Sequence, residues 1–296
     1  MEPSEATSRE LAPTQHGKFV SYDLDEARAK FGTAPFRVSH ELSDHPLFTN
    51  EALAELADSL PPEKVEHNLG TVGAVVPDGE VPQLDLSPGE IVRGIQDNGC
   101  WIVLPELQKA PGYKEIYDAI LDDVAPLVDG GRASMSGYHS VIFMAAPGST
   151  TPTHIDPELG FLLHLRGDKR ISVGRFPDEE TGNRELEAFH HGGHRNTQDL
   201  PVEAEHFDLA PNQGVHVPPH TPHWVENGES VAVSLSVGFR TPENLRRAGV
   251  YMWNARVRRL GLSPRPPGDN TTVDRVKSGV IWSTVNARRR VLRRSD

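Results

Sequence analysis

The chain has 296 residues, of which 36% are hydrophobic and 24% charged, with a net charge of −12 and a single cysteine, Cys100. This length can bury a sizeable core in one large domain or two small ones. One cysteine excludes an intrachain disulfide and a cysteine-built zinc site, and no run approaches the roughly 20 apolar residues of a membrane span.

Residues 1–15 are polar and rich in Pro, Ser and Glu, a composition that predicts disorder. The start, Met1-Glu2-Pro3-Ser4-Glu5, lacks the basic and apolar regions of a signal peptide, so a cytoplasmic protein is expected. From about 16 to 135 helical patterns dominate. Asn50 is placed to cap a helix with Leu53, Leu56 and Leu60 on one stripe. Ser87-Pro88-Gly89-Glu90 reads as a capping box, and Asn98-Gly99 as the stop of that helix. Tyr113, Ile116, Ile120 and Val124 form a third apolar stripe. Between about 100 and 240 the pattern turns to short strands punctuated by Gly and Pro: Cys100–Leu104, Ser140–Ala146, Gly160–Leu165, Arg170–Phe176 and Val231–Phe239. The expected fold is mainly β: a double-stranded β-helix (cupin or jelly-roll) core with N-terminal helices. Domain bounds follow as 16–240 for the core with its helical region and 241–296 for a C-terminal helical extension.

Within that extension, Pro242-Glu243-Asn244 starts a helix carrying Leu245, Val250, Trp253 and Val257. Pro264-Arg265-Pro266-Pro267-Gly268 breaks it, and a second helix from about Val273 carries Val276, Val280, Trp282, Val285 and Val291. Residues 242–296 hold thirteen Lys and Arg against four acids. Such a tail reads either as a nucleic-acid patch or as a solvated extension that docks on the acidic body or a second subunit. No interleaved aromatics or nucleic-acid motif support the first, so the second is the expectation.

The chemistry lies in two segments. In Thr151-Pro152-Thr153-His154-Ile155-Asp156 an imidazole and a carboxylate stand at i and i+2, on one face of a strand. Pro157 keeps Asp156 extended. The second segment, Pro218-Pro219-His220-Thr221-Pro222-His223-Trp224-Val225-Glu226-Asn227, puts His223 at a turn entering a strand. His154, Asp156 and His223 together supply two imidazoles and a carboxylate, a set that leaves half of an octahedral metal open, as in non-haem Fe(II) oxygenases.

These segments, with Gly167-Asp168-Lys169-Arg170 between them, resemble the jumonji-C/cupin-like Fe(II)/2-oxoglutarate oxygenases, most of all the group typified by the asparaginyl hydroxylase of hypoxia-inducible factor. The resemblance covers about 140–240. It implies iron held by His154, Asp156 and His223, with O2 and an unidentified substrate as reaction partners. It also implies that Lys169, 15 residues after His154, and Thr151 clamp the distal carboxylate of 2-oxoglutarate. On its own strand Lys169 shares a face with Ile171 and Val173, which points it inward and Arg170 outward. Arg240 is a competing anchor, since other branches place an Arg late in the barrel. Helical tails form the dimer interface in related hydroxylases, so a homodimer through the extension is expected.

The chain departs from that group at Gly160, Thr221-Pro222, Ser234 and Ser236, so substrate identity does not carry over. A protein or peptide side chain, an amino acid or a secondary metabolite all remain open as the site of C–H hydroxylation. A non-redox cupin, either an isomerase or a small-molecule sensor, is the alternative, and Lys169 discriminates against it. Of the other histidines, His216 is expected inward near the pocket or packed in the sheet. His139 and His164 are expected as satisfied barrel histidines, and His190, His191 and His194 as a solvated loop rather than a second metal site.

Overall fold

Apolar and small residues alternate through Val233-Ser234-Leu235-Ser236-Val237-Gly238-Phe239, and in the computed structural model this alternation separates two cores. The structure describes residues 14–69, 86–197 and 200–292. Most of the stretch expected to be disordered, 1–13, lies outside them, as do Arg293, Arg294 and the side chain of Val291. No described helix is long and apolar enough to cross a membrane.

The strands are β1 Thr14–His16, β2 Val20–Asp23, β3 Phe36–His40, β4 Glu66–Leu69, β5 Cys100–Pro105, β6 Ser136–Ala145 and β7 Thr150–His154. They continue as β8 Leu159–Arg166, β9 Lys169–Arg175, β10 Val202–Leu209, β11 Gln213–Val217, β12 His223–Asn227 and β13 Ala232–Arg240. They form two antiparallel sheets, β1-β2-β3-β11-β8-β13-β6-β5-β4 and β10-β9-β12-β7, in a jelly-roll-like sandwich. The inner faces meet through Leu162, Val215 and Val217 of the large sheet and Ile171, Val173, Phe207 and Val225 of the small one.

The helices are α1 Leu24–Lys30, α2 Asn50–Ser59, α3 Pro88–Arg93, α4 Tyr113–Val124, α5 Glu179–His190, α6 Pro242–Arg259 and α7 Thr271–Leu292. Leu53, Ile91, Ile116 and Ile120 of α2, α3 and α4 pack with Phe161, Leu163, Leu235 and Phe239 on the outer face of the large sheet. The inner face of β13 is left with Ser234, Ser236 and Gly238, small residues that make room inside the sandwich.

Several expectations need correction. The helical N-terminal region also carries strands: β1 to β3 extend the large sheet from β11, and β4 adds its far edge. Strands of three to five residues offer too few periods for their alternation to show. The cap of α2 is Thr49, whose hydroxyl accepts from Ala52 N–H, one residue before the expected Asn50. The capping box at Ser87 forms as read, but α3 ends at Arg93, ahead of Asn98-Gly99. His139 is exposed, on a rung opposite Gly238, rather than a satisfied barrel residue.

The corner between β8 and β9 is sharp. Gly167 has φ +82°, and a Cβ there would lie 2.5 Å from Val231 O, so no other residue fits without displacing β13. This turn sets the register that sends Lys169 inward.

Candidate metal centre

β7 and β12 are antiparallel neighbours, and His154 and His223 stand directly opposite each other, with ring centroids 4.1 Å apart. Cross-strand partners share a face, so both rings enter the sandwich. Asp156 follows β7, and its Oδ2 lies 3.9 Å from His154 Nε2 and 3.6 Å from His223 Nε2. One donor atom from each residue falls within 4.8 Å of the other two. Ile155 points away into a cluster with Leu186 and Tyr251. His154, Asp156 and His223 form the only such set of His, Cys, Asp and Glu donors among the described residues.

Backbone carbonyls choose the tautomers. His154 Nδ1 lies 2.8 Å from Pro152 O and His223 Nδ1 lies 2.9 Å from Thr221 O. A carbonyl only accepts, so each Nδ1 carries the proton and each Nε2 presents a lone pair to the centre. Burial, then the neighbouring His223, pushes His154 down to about 3, which keeps its ring neutral. Burial alone would raise the Asp156 carboxyl, but His154, His223 and Arg195 outweigh it and hold the acid down to about 2. The Nε2 atoms of two imidazoles and Oδ2 of one carboxylate thus converge on one point. This donor set fits a divalent cation.

Arg195, which sequence reasoning missed, places Nη1 3.6 Å from the second Asp156 oxygen. It arrives on a segment between α5 and β10 that lies along the edge of β7, through Ile155 N–H to Arg195 O and Thr197 N–H to Thr153 O. Nothing in Gly192-Gly193-His194-Arg195 announces that docking, which depends on tertiary contact.

The remaining histidines separate cleanly. His220 adopts φ +63° and donates its backbone N–H to Asp156 O at 2.7 Å. Its ring turns instead to His190, with Nε2 atoms 2.8 Å apart, and His190 stacks on Tyr251 at 5.7 Å. The expected solvated loop is therefore half wrong: His190 is held against His220, while His194 is exposed. His216 takes the sheet-packing role, its ring 4.9 Å from both Phe36 and Phe161. His164 faces the interior, bonded to Ser234 Oγ at 3.0 Å and Gly167 O at 2.8 Å. Burial, then Lys169, drives it down to about 4.

Lys169 opens β9 at 6% exposure, facing inward with Ile171 and Val173. It makes no side-chain hydrogen bond or ion pair among the described residues, and burial pushes its ammonium down to about 7. Arg170 points outward and pairs with Asp208 at 2.7 Å. On β12, His223 lies opposite Val173, Val225 opposite Ile171, and Asn227 opposite Lys169. Lys169 thus lies four residues beyond the histidine rung, about 13 Å along the strand. Thr151 pairs with Val225, on the rung between. Arg240, by contrast, is engaged by Glu158, with Nη2 at 2.7 Å and Nε at 3.0 Å from one carboxylate oxygen.

No protein-family profile matches the chain, and no curated protein matches it by sequence. Solved structures do. Escherichia coli YcfD aligns at 19% identity over 88% of this chain and 66% of its own, with a TM-score of 0.50. A structure described as YcfD, a ribosomal oxygenase from Escherichia coli, in complex with cobalt and 2-oxoglutarate, aligns at 17% identity over 92% of this chain and 68% of its own, with a TM-score of 0.51. The chain spans about two thirds of the length of these proteins. At this identity the likeness establishes a shared fold.

Proposed function

We propose that the chain is an Fe(II)- and 2-oxoglutarate-dependent oxygenase that hydroxylates an unactivated C–H bond. The observation that carries this reading is one interior holding both a His-Asp-His donor set and, two inward positions further along, a buried lysine without a counter-ion among the described residues. The neighbour bound to cobalt and 2-oxoglutarate supports it, as does its jelly-roll fold, which we assign to the double-stranded β-helix class. Placement beside the asparaginyl hydroxylases rests on the sequence motifs.

Iron held by His154, Asp156 and His223 would couple decarboxylation of 2-oxoglutarate to oxidation of substrate by O2, giving succinate, CO2 and the hydroxylated product. The chain's own residues do the arranging. Pro152 O and Thr221 O keep both Nε2 lone pairs on the centre. Arg195 occupies the second Asp156 oxygen, leaving Oδ2 for the metal. Lys169 offers its charge to the distal carboxylate of the co-substrate, with Thr151 on the rung between. A sensor or isomerase has no use for a cation buried at that depth. The neighbour's description as a ribosomal oxygenase favours a protein side chain as substrate over a free amino acid or a secondary metabolite. The cytoplasm, where Fe(II) stays reduced, is the compartment this chemistry suits.

The test is turnover: with Fe(II), 2-oxoglutarate and O2 the protein should form succinate slowly without substrate, and a chelator should stop it. Absence of succinate under any iron loading would contradict the assignment.

We further assign residues 16–240 to the oxygenase unit and 241–296 to a dimerisation extension. On α7 the residues Val273, Val276 and Val280 are 38%, 62% and 44% exposed at helical spacing, and Leu260 and Leu262, just after α6, are 77% and 61% exposed. Arg246, Arg258 and Arg265 pair with acids of the chain, Arg258 with Glu187 at 2.6 Å, which disfavours these three as a nucleic-acid face. Light scattering should give a dimer that Val276→Glu with Val280→Glu converts to monomer. A monomeric wild-type chain would remove this interface.

A further inference from the structure

Lys169 and Asn227 are direct partners across β9 and β12, so their side chains leave neighbouring backbones on the same inner face. The amide of Asn227 is strapped on one side. Its Nδ2 donates to Ser149 O and Ser149 Oγ, each at 3.0 Å, and its backbone N–H donates to the same carbonyl at 3.0 Å. Because a carbonyl cannot donate, Nδ2 belongs on the Ser149 side and Oδ1 faces the other way. That oxygen is buried and has no hydrogen-bond partner among the described residues.

An orphaned acceptor therefore shares a rung with a buried lysine whose ammonium has no hydrogen-bond partner among the described residues. An ammonium carries three donors, and a carboxylate bound end-on to it uses two at most. The third proton needs an acceptor inside the protein. A co-substrate carboxylate cannot satisfy Asn227 Oδ1 directly, since both would be acceptors. Only a donor between them reconciles the two.

Resting on the oxygenase reading above, we propose that Asn227 is a positioning residue of the co-substrate site. Its Oδ1 accepts the third ammonium proton of Lys169 and aims the other two at the distal carboxylate of a five-carbon 2-oxo diacid. The amide is preorganised by Ser149, so little ordering is left to the moment of binding. Hydrogen bonding to the charged form also offsets the burial that drives Lys169 toward neutrality.

Two readouts on the full chain test this. The first is the Lys169 amine titration in metal-free protein, followed by NMR of lysine labelled at Cε and assigned with Lys169→Met. Asn227→Leu should lower the midpoint and Asn227→Asp should raise it. The second is affinity for 2-oxoglutarate in metal-loaded protein under nitrogen. Asn227→Leu should weaken it roughly tenfold, the worth of one charge-assisted hydrogen bond. Asn227→Asp should weaken it further, because the new carboxylate occupies the ammonium. Binding of 2-oxobutyrate, which lacks the distal carboxylate, should change in neither. Asn227→Ser, which is too short to reach, repeats the leucine result if that variant folds poorly. An unchanged Lys169 midpoint in the leucine and serine variants overturns the proposal. If wild type fails to bind 2-oxoglutarate, the oxygenase reading falls with the co-substrate role of Asn227, and the titration separately reports whether Asn227 holds Lys169.

Discussion

Replacing Lys169 with methionine is expected to stabilise the protein while disabling it. Burial lowers the ammonium from its ordinary value of 10.5 to about 7 in the fold. Between those values the unfolded chain binds a proton that the folded chain does not, so stability rises with pH across this window. The cost of burying the charge is fully present below about pH 7 and gone above the unfolded value. Methionine fills a similar volume without that cost. At neutral pH the variant should gain roughly 2–4 kcal/mol, a rise in Tm of about 3–6 °C, and its stability should lose the pH slope between 7 and 10. Its affinity for 2-oxoglutarate should fall by about one to two orders of magnitude, since a charged hydrogen-bond partner is lost. Calorimetry across pH and anaerobic titration check both halves. Arg240→Ala should leave co-substrate affinity near wild type, because Glu158 already holds that guanidinium. The reverse pattern would move the anchor to Arg240.

Loss of the carboxylate ligand is the other large effect. Asp156→Ala removes the one anionic donor, and the two imidazoles that remain offer a cation no charge compensation. Metal affinity should drop by well over the roughly 10- to 100-fold typical of losing a residue that merely orients a ligand, and succinate formation should cease. His154→Ala and His223→Ala should behave alike. The fold should survive all three, since these side chains lie at the end of β7, just beyond it, and at the start of β12, outside the apolar clusters. Metal content by elemental analysis and circular dichroism separate the outcomes. Retained iron and turnover in Asp156→Ala would remove that residue from the metal set.

The site was legible because its parts obey local rules. His154 and Asp156 are two residues apart on a strand, and Pro-rich sequence before His223 marks the turn that returns a third ligand. Lys169 follows a glycine turn and keeps phase with Ile171 and Val173, so its inward direction could be read from period alone. The capping box at Ser87 and the two C-terminal helices were equally local. What stayed hidden depends on distant partners. β3 has its period visible as buried and exposed alternation over only five residues, and its place beside β11 comes from tertiary pairing. Arg195 enters the site because a segment after α5 docks on the edge of β7. Asn227 stood in the motif as a strand residue, and its role emerges only with Lys169 opposite and Ser149 taking its amide hydrogens. His190 reads as a loop histidine until His220, 30 residues on, meets its ring.

On the oxygenase reading one interior binds iron and a 2-oxo diacid together. Anaerobic addition of Fe(II) and then 2-oxoglutarate to the full chain, followed by visible absorption, tests it most directly. The expected result is a weak charge-transfer band that saturates at one equivalent of each, is absent in Asp156→Ala and needs far more 2-oxoglutarate in Lys169→Met. A wild-type protein that binds iron yet develops no band at any concentration of 2-oxoglutarate would contradict it.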